Sequence, residues 1–292
     1  MDTIIQILAR ELGRSEAHVE NVVRLIDEGN TIPFIARYRK ELHGAMDDTA
    51  LRTLADRLQY LRNLDKRREE VKSAIEGQGK LTEELSAAID AAATLAEVED
   101  LYRPYRQKRR TRATVAREKG LEPLAELLFA QAADGPAPEE AAGAFVDPEK
   151  GVETAEDALQ GASDIIAERI SDDADIRKRL RELVWKKGYL VSAAAAKEPE
   201  DTVYRLYYAF RSPLNRVQGH QVLAINRGER EGVLKVSVEM EREAALIPVR
   251  RAVLNPGAPA MAFVRAAAED AYDRLIFPSV EREMRGLLTE QI

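Results

Sequence analysis

The fold is decided by residues 47–79, DDTALRTLADRLQYLRNLDKRREEVKSAIEGQG. Apolar residues recur there at spacings of three, four and seven, and they are Leu51, Leu54, Leu58, Leu61, Leu64, Val71 and Ile75. This spacing places a narrow apolar seam along one helix of about thirty residues, with charged residues on the other faces. Such a helix must pack against other helices to bury its seam.

A partner helix is predicted directly after the turn at Gly77 and Gly79. Thr82 is a good N-cap, and Glu83 and Glu84 follow it in what would be the first turn. Its apolar stripe consists of Leu85, Ile89 and Leu95. The two segments together predict a long helical hairpin.

Before this hairpin, residues 1–45 predict three short helices. Gly13 and Gly29 separate the apolar stripes, and Pro33 lies in the first turn of the third helix, where its missing N–H is tolerated. The arrangement is compatible with a helix-turn-helix, and equally with any small three-helix cluster.

The last third of the chain is more mixed. Residues 233–238 alternate between apolar and polar side chains, which predicts a short strand paired with residues 245–249 or with the stretch before Arg227. Residues 222–225 fit a strand or a helix, and residues 261–288 are helical in pattern. The predicted fold is mainly α, a multi-helix array with a helix-turn-helix-like N-terminal cluster, a long helical hairpin and a small β-hairpin. We expect three domains, at 1–45, 46–200 and 201–292.

The amino-acid composition excludes several kinds of functional site. The 292 residues include no cysteine, which excludes disulfides, cysteine-ligated zinc, iron–sulfur clusters and thiolate catalysis. Lys and Arg number 44 against 51 Asp and Glu, a net charge of −7. The sequence has no apolar stretch long enough for a membrane span and no signal-peptide pattern at its start, so we expect a cytoplasmic protein without a membrane partner.

The strongest chemical signal is a basic stretch that begins at Arg103. Between Arg103 and Lys119 there are eight basic residues and one acid, with Tyr102 and Tyr105 beside the first arginines. Basic side chains neutralise phosphates, and tyrosines can stack on bases. The alternative is that these arginines pair with carboxylates on neighbouring helices and fix an extended segment.

A weaker basic and aromatic cluster lies in the third helix, around Tyr38. The candidate nucleic-acid contacts from both stretches are Arg37, Arg39, Lys40, Arg103, Tyr105, Arg106, Lys108, Arg109, Arg110 and Arg112. The alternative for the third helix is a solvated face with Tyr38 packed.

The sequence contains none of the common catalytic motifs. His18, His43 and His220 are scattered, and no His-x-x-x-His, Gly-x-Ser-x-Gly or Walker-type motif occurs. We therefore expect no catalytic residue, no metal site and no cofactor, and a protein that is not an enzyme.

Several long strings resemble one family. They are GNTIPFIARYRKE (29–41), DLYRPYRQKRRTRAT (100–114), AREKGLEPL (116–124) and AINRGEREGVLK (224–235). These strings resemble the N-terminal region of the bacterial Tex transcription accessory proteins, and the match extends essentially from end to end.

The resemblance implies properties that the residues alone do not give. Tex-like proteins continue into a YqgF-like domain of RNase H fold, helix-hairpin-helix segments and an OB-fold RNA-binding domain. They resemble the core of a eukaryotic transcription elongation factor, and they bind nucleic acid without known catalysis. The chain is then expected to be the N-terminal part of a longer protein.

Two hypotheses follow. In the first, the chain is a non-catalytic scaffold region of a nucleic-acid-binding transcription accessory protein, making weak phosphate-directed contacts to RNA or DNA. In the second, it is a protein-interaction or architectural module that docks on further domains or on the transcription machinery, and the basic segment is purely structural. RNA polymerase and other transcription or RNA-processing proteins are candidate partners.

Overall fold

Helices make up most of the chain, as predicted, and they form two separate groups. The computed structural model describes residues 1–107 and 109–292, so the candidate contact Lys108 lies outside the described residues. Contacts between Cα atoms divide the chain into unit 1, Met1–Tyr102, and unit 2, Arg103–Ile292. The three domains predicted from the sequence stay a prediction.

Unit 1 contains the predicted long helix. Its helices are α1 (Ile4–Leu12), α2 (Glu16–Asp27), α3 (Ile32–Tyr38), α4 (Lys40–His43), α5 (Asp48–Gly77), α6 (Glu83–Ala91) and α7 (Leu95–Tyr102). All seven residues of the apolar seam in α5 are buried. The side chain of Asp47 caps the helix by accepting the Ala50 N–H at 2.7 Å.

The partner of α5 is divided into two helices. Thr82 caps α6 as predicted, accepting the Leu85 N–H at 3.1 Å, but α6 ends at Ala91. After a break, α7 begins at Leu95, whose N–H donates to the hydroxyl of Tyr60 on α5 at 3.0 Å. The stripe of Leu85, Ile89 and Leu95 therefore comes from two helices.

Residues 1–45 contain four short helices where three were predicted, because the third helix ends at Tyr38 and α4 follows it. Helices α1 and α2 are tied to α5. Arg57 forms a bidentate pair with Glu11 of α1 at 2.8 and 2.9 Å, and Arg62 does the same with Asp27 of α2 at 2.7 and 2.8 Å. Such forked pairs fix orientation as well as contributing energy. A helix-turn-helix role for this cluster stays a prediction.

Unit 2 is also mainly helical. Its helices are α8 (Arg112–Glu118), α9 (Glu122–Ala130), α10 (Pro138–Ala142), α11 (Ala155–Ser171), α12 (Ala174–Lys187), α13 (Gly219–Arg230), α14 (Arg242–Val253), α15 (Met261–Asp270) and α16 (Phe277–Glu290). Its strands are β1 (Tyr189–Ala194), β2 (Ala209–Pro213) and β3 (Leu234–Glu239).

The strand pairing in the sheet differs from the predicted pairing. The alternating segment is strand β3, but its partner is β1, with Tyr189 opposite Glu239, and the strand order is β2-β1-β3, all antiparallel. Residues 245–249 lie in α14 and residues 222–225 in α13, so both predicted partners were wrong. Alternation identifies a strand that is half buried, but it carries no information about which segment pairs with it.

Helix α11 is central to the core of unit 2, where it contacts α8, α9 and α15. At Gly161 of α11, a Cβ atom would collide with the side chain of Leu121, which shows how closely the neighbouring chain approaches. This packing places one face of α11 directly behind α8 and the basic stretch.

The predicted C-terminal helical region is interrupted by one wide turn. Residues Ala271–Ile276 form a π-helical turn between α15 and α16, where Phe277 N–H donates to the Tyr272 carbonyl five residues earlier. Pro278 follows, with no N–H to donate and a ring that would clash with the Arg274 carbonyl in regular α geometry. The wide turn lies just before this proline.

No helix within residues 1–107 and 109–292 is both long enough and apolar enough to cross a membrane.

Helix α9 offers a matched test of the core. Leu124 is fully buried and Leu127 is 45% exposed on the same helix. We expect Leu124→Ala to lower the free energy of unfolding by about 3 kcal/mol, because it removes packed methyl groups and leaves a cavity. Leu127→Ala should change it by less than about 0.5 kcal/mol. Urea unfolding followed by circular dichroism measures both, and equal losses of stability would contradict the placement of α9.

Candidate nucleic-acid interface

The basic segment, defined here as residues 103–112, is the first part of unit 2. Arg103–Tyr105 form a single 3₁₀ turn. Thr111 caps α8 by accepting the Thr114 N–H at 3.1 Å, so Arg112 is the first residue of that helix. The described residues between the turn and the cap belong to neither a helix nor a strand.

The far end of the basic segment is fixed by Glu168 of α11. The Thr111 hydroxyl donates to one carboxylate oxygen of Glu168 at 3.0 Å, and Arg117 Nη1 donates to the other at 3.0 Å. The Glu168 side chain is only 12% exposed, so the interaction is poorly screened by solvent. This carboxylate is therefore an anchor for the segment.

The near end is fixed through Arg103, which lies half-buried. Its Nη2 is 3.5 Å from the Ser279 hydroxyl, and the same hydroxyl accepts a hydrogen bond of 3.0 Å from Arg177. Arg177 is almost completely buried, and it also donates to the hydroxyl and carbonyl of Ser171. Arg103 thus makes a structural contact, and its role in nucleic-acid binding stays a prediction.

Four arginines of the segment are exposed: Arg106, Arg109, Arg110 and Arg112. Arg110 pairs with Glu118 at 3.1 Å, but both side chains are more than half exposed, and such a pair contributes little. Arg109 has no hydrogen bond or ion pair to any residue that the structure describes. Tyr105 is half-buried.

A groove of about 800 Å³ lies beside the segment. Seven arginines line it: Arg103, Arg106, Arg109, Arg110, Arg112, Arg274 and Arg282. Three carboxylates, Asp164, Glu168 and Asp172, also line it. We call this the arginine groove; positive charge exceeds negative charge in its lining.

Arg274 and Arg282 were missed by the sequence analysis. They lie in the C-terminal helical region, about 170 residues beyond the basic segment, where the pattern showed only a helix. The π-helical turn that carries Arg274 has no periodicity signal of its own.

Two further grooves of unit 2 adjoin the arginine groove. One, of about 690 Å³, shares Arg110, Arg112 and Asp164 with it, and the other, of about 670 Å³, shares Arg106, Glu168 and Asp172. The surface around the segment is therefore concave on both sides of the exposed arginines.

Asp164 is the most deeply buried carboxylate of the arginine groove, with 8% of the residue exposed. Burial raises the pKa of its carboxyl, although a hydrogen bond from Gln160 and the charges of Arg274 and Arg112 act in the opposite direction. The ionised form of Asp164 therefore lowers the stability of the folded protein.

The candidate residues of unit 1 form a separate cluster on α3. Phe34 and Tyr38 have ring centroids 5.2 Å apart, with Arg39 over the Phe34 ring at 5.1 Å and Arg37 over the Tyr38 ring at 5.7 Å. Tyr38 is 54% exposed, so it is not packed in the core. Arg39 and Lys40 lie where α3 ends and α4 begins.

The side chain of His43 makes a structural contact. His43 is buried, and its Nδ1 accepts the Met46 N–H at 2.9 Å in the turn before α5. Among the described residues, no group of three or more His, Asp or Glu side chains is placed to hold a metal ion.

Comparison with known proteins identifies the family. The family model for the Tex central region matches residues 134–292, and the model for the Tex-like protein N-terminal domain matches residues 2–76. The chain belongs to the Tex family. The basic segment lies between the two matched regions.

Several relatives align with most of this chain. The protein YdcI of Bacillus subtilis is 44% identical over 98% of the chain, and the transcriptional accessory protein Tex of Neisseria gonorrhoeae is 40% identical over 82%. The human S1 RNA-binding domain-containing protein 1 is 30% identical over 98%. The chain spans 40% of the length of YdcI, 31% of the Neisseria protein and 30% of the human protein.

The raised pKa of Asp164 predicts a pH-dependent effect on stability. The folded protein binds this proton more tightly than the unfolded chain, so stabilisation present at low pH is lost as the pH rises through the folded-state pKa. We expect Asp164→Asn to raise the melting temperature at pH 7, because the amide is uncharged and can still accept from Gln160. This gain should shrink as the pH falls towards the ordinary carboxyl pKa of 3.8.

Asp134→Asn, in an exposed loop, is the matched control, and it should leave the melting temperature unchanged. Melting curves followed by circular dichroism between pH 4 and pH 7 measure both variants. A gain for Asp164→Asn that is constant with pH, or a decrease at pH 7, would contradict the electrostatic origin of the effect.

Proposed function

We propose that this Tex-family chain is a non-catalytic scaffold region that binds the phosphate backbone of RNA or DNA through the arginine groove. The observation that carries the proposal is the exposure of Arg106, Arg109, Arg110 and Arg112 on a segment fixed at both ends. The relatives named as a transcriptional accessory protein and as an S1 RNA-binding domain protein support a role connected with nucleic acid.

The physical basis is counterion release. A nucleic acid carries a condensed layer of cations, and each phosphate neutralised by an arginine releases part of that layer. Fixing the segment before binding reduces the conformational entropy that binding would otherwise cost. Exposed arginines on an anchored segment therefore favour phosphate binding more than the same residues on a free chain.

Binding is expected to be weak and sensitive to salt. The carboxylates of Asp164, Glu168 and Asp172 lie in the same groove and repel phosphates. The whole chain is also negative, with a net charge of −7, which opposes long-range attraction of a polyanion.

The aromatic and basic cluster around Tyr38 of α3 is proposed as a second and weaker contact surface for nucleic acid. Exposed Tyr38, with Arg37 over its ring, resembles the aromatic and guanidinium platforms on which unpaired bases stack. Arg39 and Lys40 add positive charge beside it.

One observation favours the alternative, an architectural module in which the basic segment is structural. Arg103 and Thr111, at the two ends of the segment, both contact the core of unit 2. In that case, the partners of the exposed arginines would be acidic surfaces of further domains, RNA polymerase or other transcription proteins.

A four-arginine variant of the 292-residue chain tests the proposed function. We expect R106A/R109A/R110A/R112A to weaken binding of a single-stranded oligonucleotide at low salt, because it removes four guanidinium groups that would neutralise phosphates. The slope of log affinity against log salt should become shallower by about 0.7 for each phosphate that is no longer neutralised. Fluorescence anisotropy at several salt concentrations measures both quantities.

The matched control is R205A/R216A/R230A/R251A, which removes four exposed arginines of unit 2 from outside the groove. Equal affinities and slopes for the two variants would exclude the arginine groove as the binding site. Reduced folding stability of the groove variant, with unchanged affinity, would support the architectural alternative.

A further inference from the structure

We propose that Arg274 and Arg282 form a second basic wall of the arginine groove, which makes the groove a two-walled clamp for consecutive phosphate groups. The inference rests on the proposed function and deepens it, since it adds two binding residues and defines the ligand chemistry. Consecutive phosphates occur in a nucleic-acid backbone and in a free nucleoside polyphosphate.

The π-helical turn positions the first of these residues. Arg274 is the fourth residue of the turn, shortly before the helix resumes with Phe277 and Pro278. An α-helix rotates each residue by about 100°, and a wide turn shifts the face on which the following residues lie. Such turns are frequent at functional sites.

Arg274 is oriented by a carboxylate one turn earlier. Its Nη2 lies 2.9 Å from Asp270, and its side chain is 28% exposed. The guanidinium has five N–H donors, and the pair with Asp270 uses only some of them. Arg274 is therefore fixed in orientation and has donors left for a ligand.

Arg282 is exposed on α16, and its charge is not compensated by its neighbours. Glu281 accepts the Val238 N–H at 2.6 Å, and Glu283 accepts Arg181 Nε at 2.8 Å, so both adjacent carboxylates are held by other elements. The Arg282 side chain has no hydrogen bond or ion pair to another residue within 1–107 and 109–292. An uncompensated guanidinium that lines a groove is the expected receptor for an external anion.

One of the three carboxylates of the groove is already paired within the protein. Glu168 is occupied by Thr111 and Arg117, which leaves less of its charge to repel a phosphate. Arg109, which also lines the groove, has a side chain without a partner among the described residues. The volume of about 800 Å³ lies within the range of about 300 to 1,000 Å³ of small-molecule sites, so it can hold several phosphate groups.

The clamp is tested with R274Q/R282Q, and with R282Q alone because Arg282 is exposed and its replacement will not disturb folding. The control is R251Q/R265Q, which removes two exposed arginines from the neighbouring helices α14 and α15. The probes are a single-stranded oligonucleotide and inorganic tripolyphosphate, each titrated into the full 292-residue chain at low salt.

We expect R274Q/R282Q to weaken binding of whichever probe binds more tightly by about tenfold, and R282Q to weaken it by about threefold, because each arginine neutralises one phosphate. The control variant should bind both probes as the unmodified chain does. Tighter binding of tripolyphosphate than of the oligonucleotide would assign the clamp to free polyphosphates, and the reverse would assign it to a nucleic-acid backbone.

The experiment distinguishes failure of the clamp proposal from failure of the proposed function. Unchanged affinity of R274Q/R282Q for both probes, while R106A/R109A/R110A/R112A no longer binds, would overturn the clamp and leave the proposed function standing. Unchanged affinity of both variants would overturn both.

Discussion

The arrangement of the candidate site depends on one carboxylate, that of Glu168. The described residues between the turn at Arg103–Tyr105 and Thr111 belong to neither a helix nor a strand, so contacts with neighbouring elements help to hold them in place. Glu168 binds the hydroxyl of the residue that caps α8 and the guanidinium of Arg117 further along that helix. Because α11 is packed at the centre of the core, this interaction ties the segment to the core of unit 2.

The distribution of ion pairs explains how an acidic chain can present a basic groove. Some carboxylates of unit 2 are paired with specific arginines: Glu283 with Arg181, and Asp270 with Arg274. Two arginines of the groove, Arg109 and Arg282, have side chains without a partner among the described residues. A net charge of −7 is thus compatible with a local excess of positive charge.

The sequence predicted those parts of the structure that depend on local pattern. The seam from Leu51 to Ile75 forms one helix with every seam residue buried. Residues spaced three and four apart lie on the same face of a helix, so one packed face buries all of them. The strand predicted at 233–238 is observed at Leu234–Glu239, but its pairing with Tyr189–Ala194 depends on tertiary packing, and alternation does not encode a partner. The contact of Arg103 with Ser279 and the presence of Arg274 and Arg282 in the groove could not be predicted, since they join residues about 170 positions apart.

The most direct test of nucleic-acid binding in the arginine groove is arginine footprinting with phenylglyoxal, read by mass spectrometry, with and without a single-stranded oligonucleotide at low salt. The oligonucleotide is expected to slow modification of Arg109 and Arg282 and to leave exposed Arg205, outside the groove, unchanged. Equal modification rates of Arg109 and Arg282 in the free and bound protein would contradict binding in this groove.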